Sequence, residues 1–208
     1  GTSLTTHSEG TISPKSGTTP QSYLIASTLV DGADDAVFDV ATRCTCAFLE
    51  WGYWGTKLEA SDDSLGNGDR FDTFHLGTWV AGDVTASASL PMTGTASYAG
   101  HAVGNVVNNG AQYLASGDFS MSLDFASRTG SATISGIDDR TMSATLAETT
   151  VSSGNLFEGA LSGTGGLAGS INTSVVTGPS SNHQGVIGDF SATQGTWSAT
   201  GIVAGEKQ

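Results

Sequence analysis

The most regular feature of the chain is a two-residue rhythm. From Tyr113 the odd positions read Tyr113, Ala115, Gly117, Phe119, Met121, Leu123 and Phe125, all apolar or small. The even positions between them are Leu114, Ser116, Asp118, Ser120, Ser122 and Asp124. Apolar on one face and polar on the other is the signature of a half-buried β-strand. The same alternation recurs around Ala132 and Ile134, Met142 to Leu146, Phe157 to Leu161, Leu167 to Ile171, Val186 to Phe190 and Trp197 to Val203. With the stretch from Thr93 to Val106 this predicts eight strands.

Turn formers separate them: Asn108-Asn109-Gly110, Ser127 to Gly130, Asp138-Asp139, Ser152-Ser153-Gly154, Gly163 to Gly166 and Gly195. Connections this short make consecutive strands antiparallel neighbours. The predicted fold is therefore all-β, an eight-stranded antiparallel up-and-down β-barrel, because closure removes both sheet edges. Gly recurring on the inward face suits a narrow barrel with a filled interior. A lipocalin-like barrel around a ligand cavity is the competing arrangement.

The first 90 residues read differently. Residues 1–20 are polar, carry Pro14 and Pro20, and are expected to be a flexible N-terminal segment. Residues 21–90 read as a small strand-rich, handle-like subdomain, and 91–208 as the barrel. The handle strands are expected at Gln21 to Val30, Cys44 to Trp54 and Arg70 to Val80, with a loop from Glu59 to Asp69. Val84 to Pro91 is the expected connection. Three of the four Trp, at positions 51, 54 and 79, fall in this part.

Composition narrows the function classes. Gly contributes 29 residues, Ser and Thr together 54, apolar residues 38% and charged residues 13%. That is too apolar for a disordered tail, and too poor in strong helix formers for a helical bundle. No apolar run is long enough for a transmembrane helix. A net charge of -13 argues against nucleic acid or anionic lipid, and a protein partner is expected to present a basic face. No basic-then-apolar leader is read at the start. The only cysteines, Cys44 and Cys46, stand two apart, about 7 Å along a strand, at or beyond the reach of an unstrained disulfide.

The stretch Gly94-Thr95-Ala96-Ser97-Tyr98-Ala99-Gly100, the strand from Tyr113 to Phe125, Thr129 to Ile134 and the closing run Trp197 to Gly205 together resemble the barrel module of bacterial transferrin-binding protein B. The resemblance implies a lobe built of a handle and an eight-stranded barrel. It also implies a non-enzymatic, exported or surface-displayed protein of a Gram-negative bacterium, whose loops bind a host protein or an iron source. The implied location is extracellular or on the outer-membrane surface, with the periplasm as the alternative. The chain departs from that family in having one lobe and no lipid-anchor Cys near its start. No partner-contacting residue carries over. A structural or secretion-related C-terminal domain of a larger surface protein, and a haem or small-ligand carrier, are the alternatives.

Candidate chemistry is sparse. His101 and His183 are the histidines expected near loop ends, where an exposed imidazole can serve as an axial haem ligand. His75, beside Phe74 and Leu76, reads as a half-buried hydrogen-bonded ring. Trp54, in Trp51-Gly52-Tyr53-Trp54, points to the opposite strand face from its aromatic neighbours and is a candidate interface anchor. Asp62, Asp63, Asn67 and Asp69 put oxygen ligands on a Gly-containing loop, the best metal candidate in the chain, for Ca²⁺, while a plain acidic turn of Asn-Gly and Gly-Asp turn formers is the favoured reading of the same residues. There is no nucleophile elbow, and the adjacent carboxylate pairs cannot flank one bond. The expectation is a protein without catalysis or a required cofactor.

Overall fold

The computed structural model describes residues 4–12, 23–31, 47–60, 70–149, 151 and 154–208, with side chains at 47–51 and from 77 onward. Four strands come first: β1 (Leu4–Ile12), β2 (Tyr23–Asp31), β3 (Leu49–Ala60) and β4 (Arg70–Gly82). Eight more follow: β5 (Thr95–Asn108), β6 (Ala111–Asp124), β7 (Thr129–Ile137), β8 (Arg140–Glu148), β9 (Phe157–Gly163), β10 (Ala168–Val176), β11 (Gly185–Gln194) and β12 (Trp197–Lys207). They divide into two compact units, Gly1–Ala33 with Gly52–Gly77 and Asp34–Trp51 with Thr78–Gln208.

The first four strands form one sheet in the order β1-β2-β3-β4. β1 pairs antiparallel with β2 from Leu4↔Val30 to Ile12↔Tyr23, with a register shift between Thr6 and Glu9. This strand lies inside the stretch expected to be a flexible lead-in. Its sequence, LTTHSEGTI, has no period-two pattern, so the ladder offered by β2, not amphipathicity, defines it. β2 in turn pairs with β3 from Leu24↔Glu59 to Asp31↔Gly52.

From β5 to β12 the chain is a meander that closes on itself as an eight-stranded antiparallel barrel, as the alternation predicts. The closing ladder joins β12 to β5 from Trp197↔Asn108 to Lys207↔Tyr98. Two-residue turns set the registers. Asn109 and Gly110 both take positive φ (50° and 84°), as do Asp138 and Asp139 (50° and 59°), the backbone that a right-twisted two-residue hairpin needs.

The interior is a core and not a chamber. Tyr98, Phe119, Leu123, Ile134, Met142, Leu146, Phe157, Ile171 and Trp197 are all at most 2% exposed and belong to one cluster. Each such side chain contributes about 1.5–3 kcal/mol of burial free energy. Inward glycines let the strands press together: a Cβ on Gly169 would sit 2.0 Å from the Ser191 carbonyl oxygen, and one on Gly201 2.1 Å from that of Val103. The narrow, filled barrel is the one realised, and the lipocalin-like cavity is not.

A second, smaller apolar layer covers part of the outer wall. Val103, Ile187, Ile202 and Ala204 alternate outward yet are buried, together with Leu49 and Trp51. Phe48 lies over Gly185, and Leu49 lies against Gly82 close to Val176. The lead-in 83–94 is also stitched to the barrel. Beyond the Phe157↔Thr173 pair β10 has lost β9, and residues 83–85 take its place. Val84 bridges Val176, Thr85 N–H donates to Val175 O (3.0 Å) and Thr177 N–H to Asp83 O (2.8 Å).

Candidate binding surface

The up-and-down path puts four tight turns at one end of the barrel: Asn109-Gly110, Asp138-Asp139, Thr164–Gly166 and Gly195-Thr196. The other end carries the lead-in, the 125–128 turn, residues 154–156 ahead of β9, the 177–184 loop and the C-terminus.

The hairpin end is locked by one carboxylate. Asp138 Oδ2 accepts from the Tyr113 hydroxyl and from Trp197 Nε1–H (2.9 Å). The hydrogen bond to that carboxylate is the main reason the Tyr113 phenol is held above its ordinary pKa, with desolvation adding to it. Arg140 lies 4.5 Å over the Trp197 ring and donates to Gln194 Oε1 (2.9 Å) and to Asp138 O (3.0 Å). Gln194 Nε2 continues to Thr164 O (2.9 Å). Asp138, Tyr113, Trp197, Arg140 and Gln194 are thus tied to one another at this end, while Asp139 beside them is exposed.

The loop end is organised by Asn155, which is buried. Its Nδ2 donates to Thr85 O (2.8 Å) and Val175 O (2.9 Å), and its Oδ1 accepts from Val175 N–H (2.7 Å). Ser174 Oγ donates to its carbonyl (2.7 Å). One amide therefore ties the lead-in, β10 and residues 154–156 together. Across the rim, Thr85 Oγ1 donates to Asn182 O (2.6 Å), and Asn182 Nδ2 donates to Ser89 O.

Beside Asn155 opens a depression of about 420 Å³ lined by Val84, Val151, Gly154, Leu156 and Ser174. Val84 is 40% exposed and Val151 36% exposed; with Met92 at 76% they put three exposed large apolar side chains at or near this end. Isolated exposed apolar residues are ordinary; here two of them line one depression beside the hydrogen-bonded Asn155.

The sequence candidates fall in different places. His101 is in the middle of β5, faces outward and is 1% exposed, its ring 4.1 Å from that of Trp51 and tilted by 52°. The expectation of a loop-end histidine is corrected there: the ring is buried in mid-strand against Trp51, away from the loop ends where an external haem could reach it. His183 does lie in a loop, 177–184, but both ring nitrogens are engaged. Nδ1–H donates to Asn182 Oδ1 (3.0 Å) and Nε2 accepts from the Lys207 ammonium (2.7 Å). Desolvation, with the Lys207 charge second, holds its pKa below the ordinary histidine value. Trp54 falls on β3, at the register position opposite Leu29. Asp62, Asp63, Asn67 and Asp69 lie outside the described residues, as do Cys44 and Cys46. Among the described residues no group of three or more His, Cys, Asp or Glu side chains could hold a metal ion, and no helix is long and apolar enough to cross a membrane.

Asn155, Asp138 and Lys207 carry the two ends, and none stands out in the sequence. The available signals are local. Asn155 follows Gly154 at the mouth of a strand, and Asp138 precedes Asp139 in a two-residue turn. Arg128, Arg140 and Lys207 are the only cations after position 90.

The barrel is thus a closed antiparallel scaffold with a filled interior and one loop-bearing rim. The sequence profile of a family described as "Factor H binding protein, C-terminal" matches residues 88–197, more than half of the chain. The chain belongs to that family. No curated protein matches it by sequence. Solved structures share the fold, with transferrin-binding protein B prominent among them. The intact protein "Ap-TbpB (N and C lobes)" is 13% identical with a TM-score of 0.55, the match covering 98% of this chain and 38% of that one. The isotype 1 protein from serogroup B Neisseria meningitidis is 14% identical with a TM-score of 0.54, covering 96% and 35%. A protein described as a surface lipoprotein is 13% identical with a TM-score of 0.52, covering 86% and 81%. The chain thus spans little more than a third of the two transferrin-binding proteins, and the likeness to one of their barrel-bearing lobes is a likeness of fold.

Proposed function

We propose that the chain is a non-enzymatic binding module displayed on the outer surface of a Gram-negative bacterium, which takes a host protein on the loop end of its barrel. The filled interior carries this reading. With Phe119, Met142, Phe157 and Trp197 occupying the axis, recognition falls to the rims and outer wall. At the hairpin end Asp138, Tyr113, Trp197, Arg140 and Gln194 bind one another, while the loop end exposes Val84 and Val151 around a depression.

Charge gives the partner its sign. After position 90 there are eight Asp and Glu against three Lys and Arg. Arg128 lies 3.7 Å from Glu148, Arg140 sits on Asp138 and Lys207 on His183. The barrel's field is therefore acidic, and a partner bringing an apolar side chain within a basic patch fits it. The names of its family and of its structural relatives, factor H binding protein and transferrin-binding protein B, refer to protein ligands, which supports the same use here.

The test uses the full chain over immobilised complement factor H and immobilised transferrin, with host serum as the wider probe. Capture of a protein that weakens as salt rises, and at least about tenfold with Val84→Asp, supports the reading. Capture of nothing from any of the three, or capture unaffected by Val84→Asp, overturns it.

A further inference from the structure

His183 sits where the 177–184 loop meets the end of the barrel. Its carbonyl accepts from the Tyr98 hydroxyl of β5 (3.2 Å), and its ring meets Phe125 edge-on at 5.5 Å. The Lys207 ammonium at the end of β12 donates to its Nε2 at 2.7 Å. The neighbouring backbone follows the same alignment: Gln184 N–H bonds Val176 O (3.1 Å), Lys207 N–H bonds Gln184 O (2.8 Å) and Gln208 N–H bonds Ser97 O (2.9 Å). An ammonium has three donors and no acceptor, so Lys207 can hold this position only against an imidazole whose Nε2 carries a lone pair.

We propose that the His183–Lys207 contact is an acid-released latch, which keeps the 177–184 loop closed on the barrel end while His183 is neutral and frees it when the ring takes a proton.

The chemistry of the contact dictates the direction. With Nδ1–H donating to Asn182, protonation must occur at Nε2, the atom Lys207 occupies. It converts a donor–acceptor pair into two cations in contact, and among the described residues neither group has a carboxylate salt-bridge partner. The groups facing His183 are the Lys207 ammonium from β12, the Tyr98 hydroxyl from β5, the Phe125 ring and the Asn182 amide. Burial raises the Tyr98 pKa, so it supplies no negative charge. The nearest carboxylates in sequence are turned elsewhere: Asp124 Oδ1 accepts from Ala126 N–H (2.8 Å), and Glu206 alternates to the face opposite Lys207. The shift of His183 below the ordinary value, from desolvation and from Lys207, has the same sense. Release breaks the Lys207 tie and loosens the edge of the loop that covers Phe125 and the Tyr98 hydroxyl. The latch concerns the loop itself, whatever the surface binds.

The test follows the isotope-labelled full chain by NMR between about pH 7.5 and about pH 5, the window in which histidine titrates. The His183 imidazole is expected to titrate below about 6.5. Amide-exchange protection at Gln184, Lys207 and Gln208, corrected for intrinsic rates, is expected to fall about tenfold or more at the acid end, while Ala132 and Ala192 in the ladders keep theirs. His183→Gln retains an acceptor for Lys207 without a titrating group, and its three amides should stay protected at both pH values. Lys207→Met should move the His183 midpoint upward. A midpoint at or above the ordinary value, wild-type amides indifferent to pH, or the same loss of protection in His183→Gln overturns the proposal. The wild-type titration decides alone if the variant does not fold.

Discussion

Asp138 is the acceptor on which the hairpin end depends. It receives the Trp197 indole N–H and the Tyr113 hydroxyl, and Trp197 is 2% exposed, so its N–H has no water to fall back on. Asp138→Ala is expected to destabilise the chain by about 1–3 kcal/mol in urea unfolding, the usual cost of orphaning a buried donor. In the same variant the Tyr113 phenol loses the hydrogen bond that raises its pKa, and its absorbance titration should move down toward the ordinary value near 10. His183 makes the opposite kind of pH prediction. Its folded-state pKa lies below the unfolded one, so the unfolded chain binds the proton first as pH drops. Stability is expected to fall as pH decreases through about 6.5, and His183→Gln should flatten that part of the curve. A third test concerns close approach. A methyl on Gly201 meets the Val103 carbonyl at 2.1 Å, whereas one on Gly77 meets nothing within 4 Å among the described residues. Gly201→Ala should cost about 1–3 kcal/mol and Gly77→Ala at most about 0.5 kcal/mol.

At the scale of elements, strands with one apolar face were legible and strands without one were not. The alternation of β6, Tyr113 to Leu123 inside and Ser116 to Ser122 outside, is the pattern the barrel buries, and the chain's own turns bound it. β12 runs on to Lys207 past the readable Trp197 to Val203, because Ile202 and Ala204 are buried on the outer wall too and blur the alternation. The same covering layer hid His101, whose polar identity reads as surface but whose outward face is roofed by Trp51. β1 lacked any periodic signal, being paired along its length with β2. Asn155 was invisible for another reason: its partners Thr85 and Val175 are distant in sequence, and only the fold brings them to one amide. Asn155→Ala removes three hydrogen bonds at once. It should destabilise the loop end by about 1–3 kcal/mol and speed exchange of the Val175 amide, which loses its acceptor.

For the molecule, the division of labour follows from closure. Eight strands around a filled axis leave the barrel itself no sheet edge to pair with other chains, and no chamber to fill. What remains of the barrel for recognition is its surface, and the longer connections gather at one rim. Recognition at that loop-bearing rim is the central claim. It is tested most directly by amide exchange of the full chain, free and then saturated with whichever of factor H or transferrin binds it. Slowing confined to 83–94, 154–156 and 177–184, with the turns at Asn109, Asp138 and Gly195 unchanged, is the predicted result. Slowing centred on those hairpin turns, or no change at the loop end with either protein, contradicts the account.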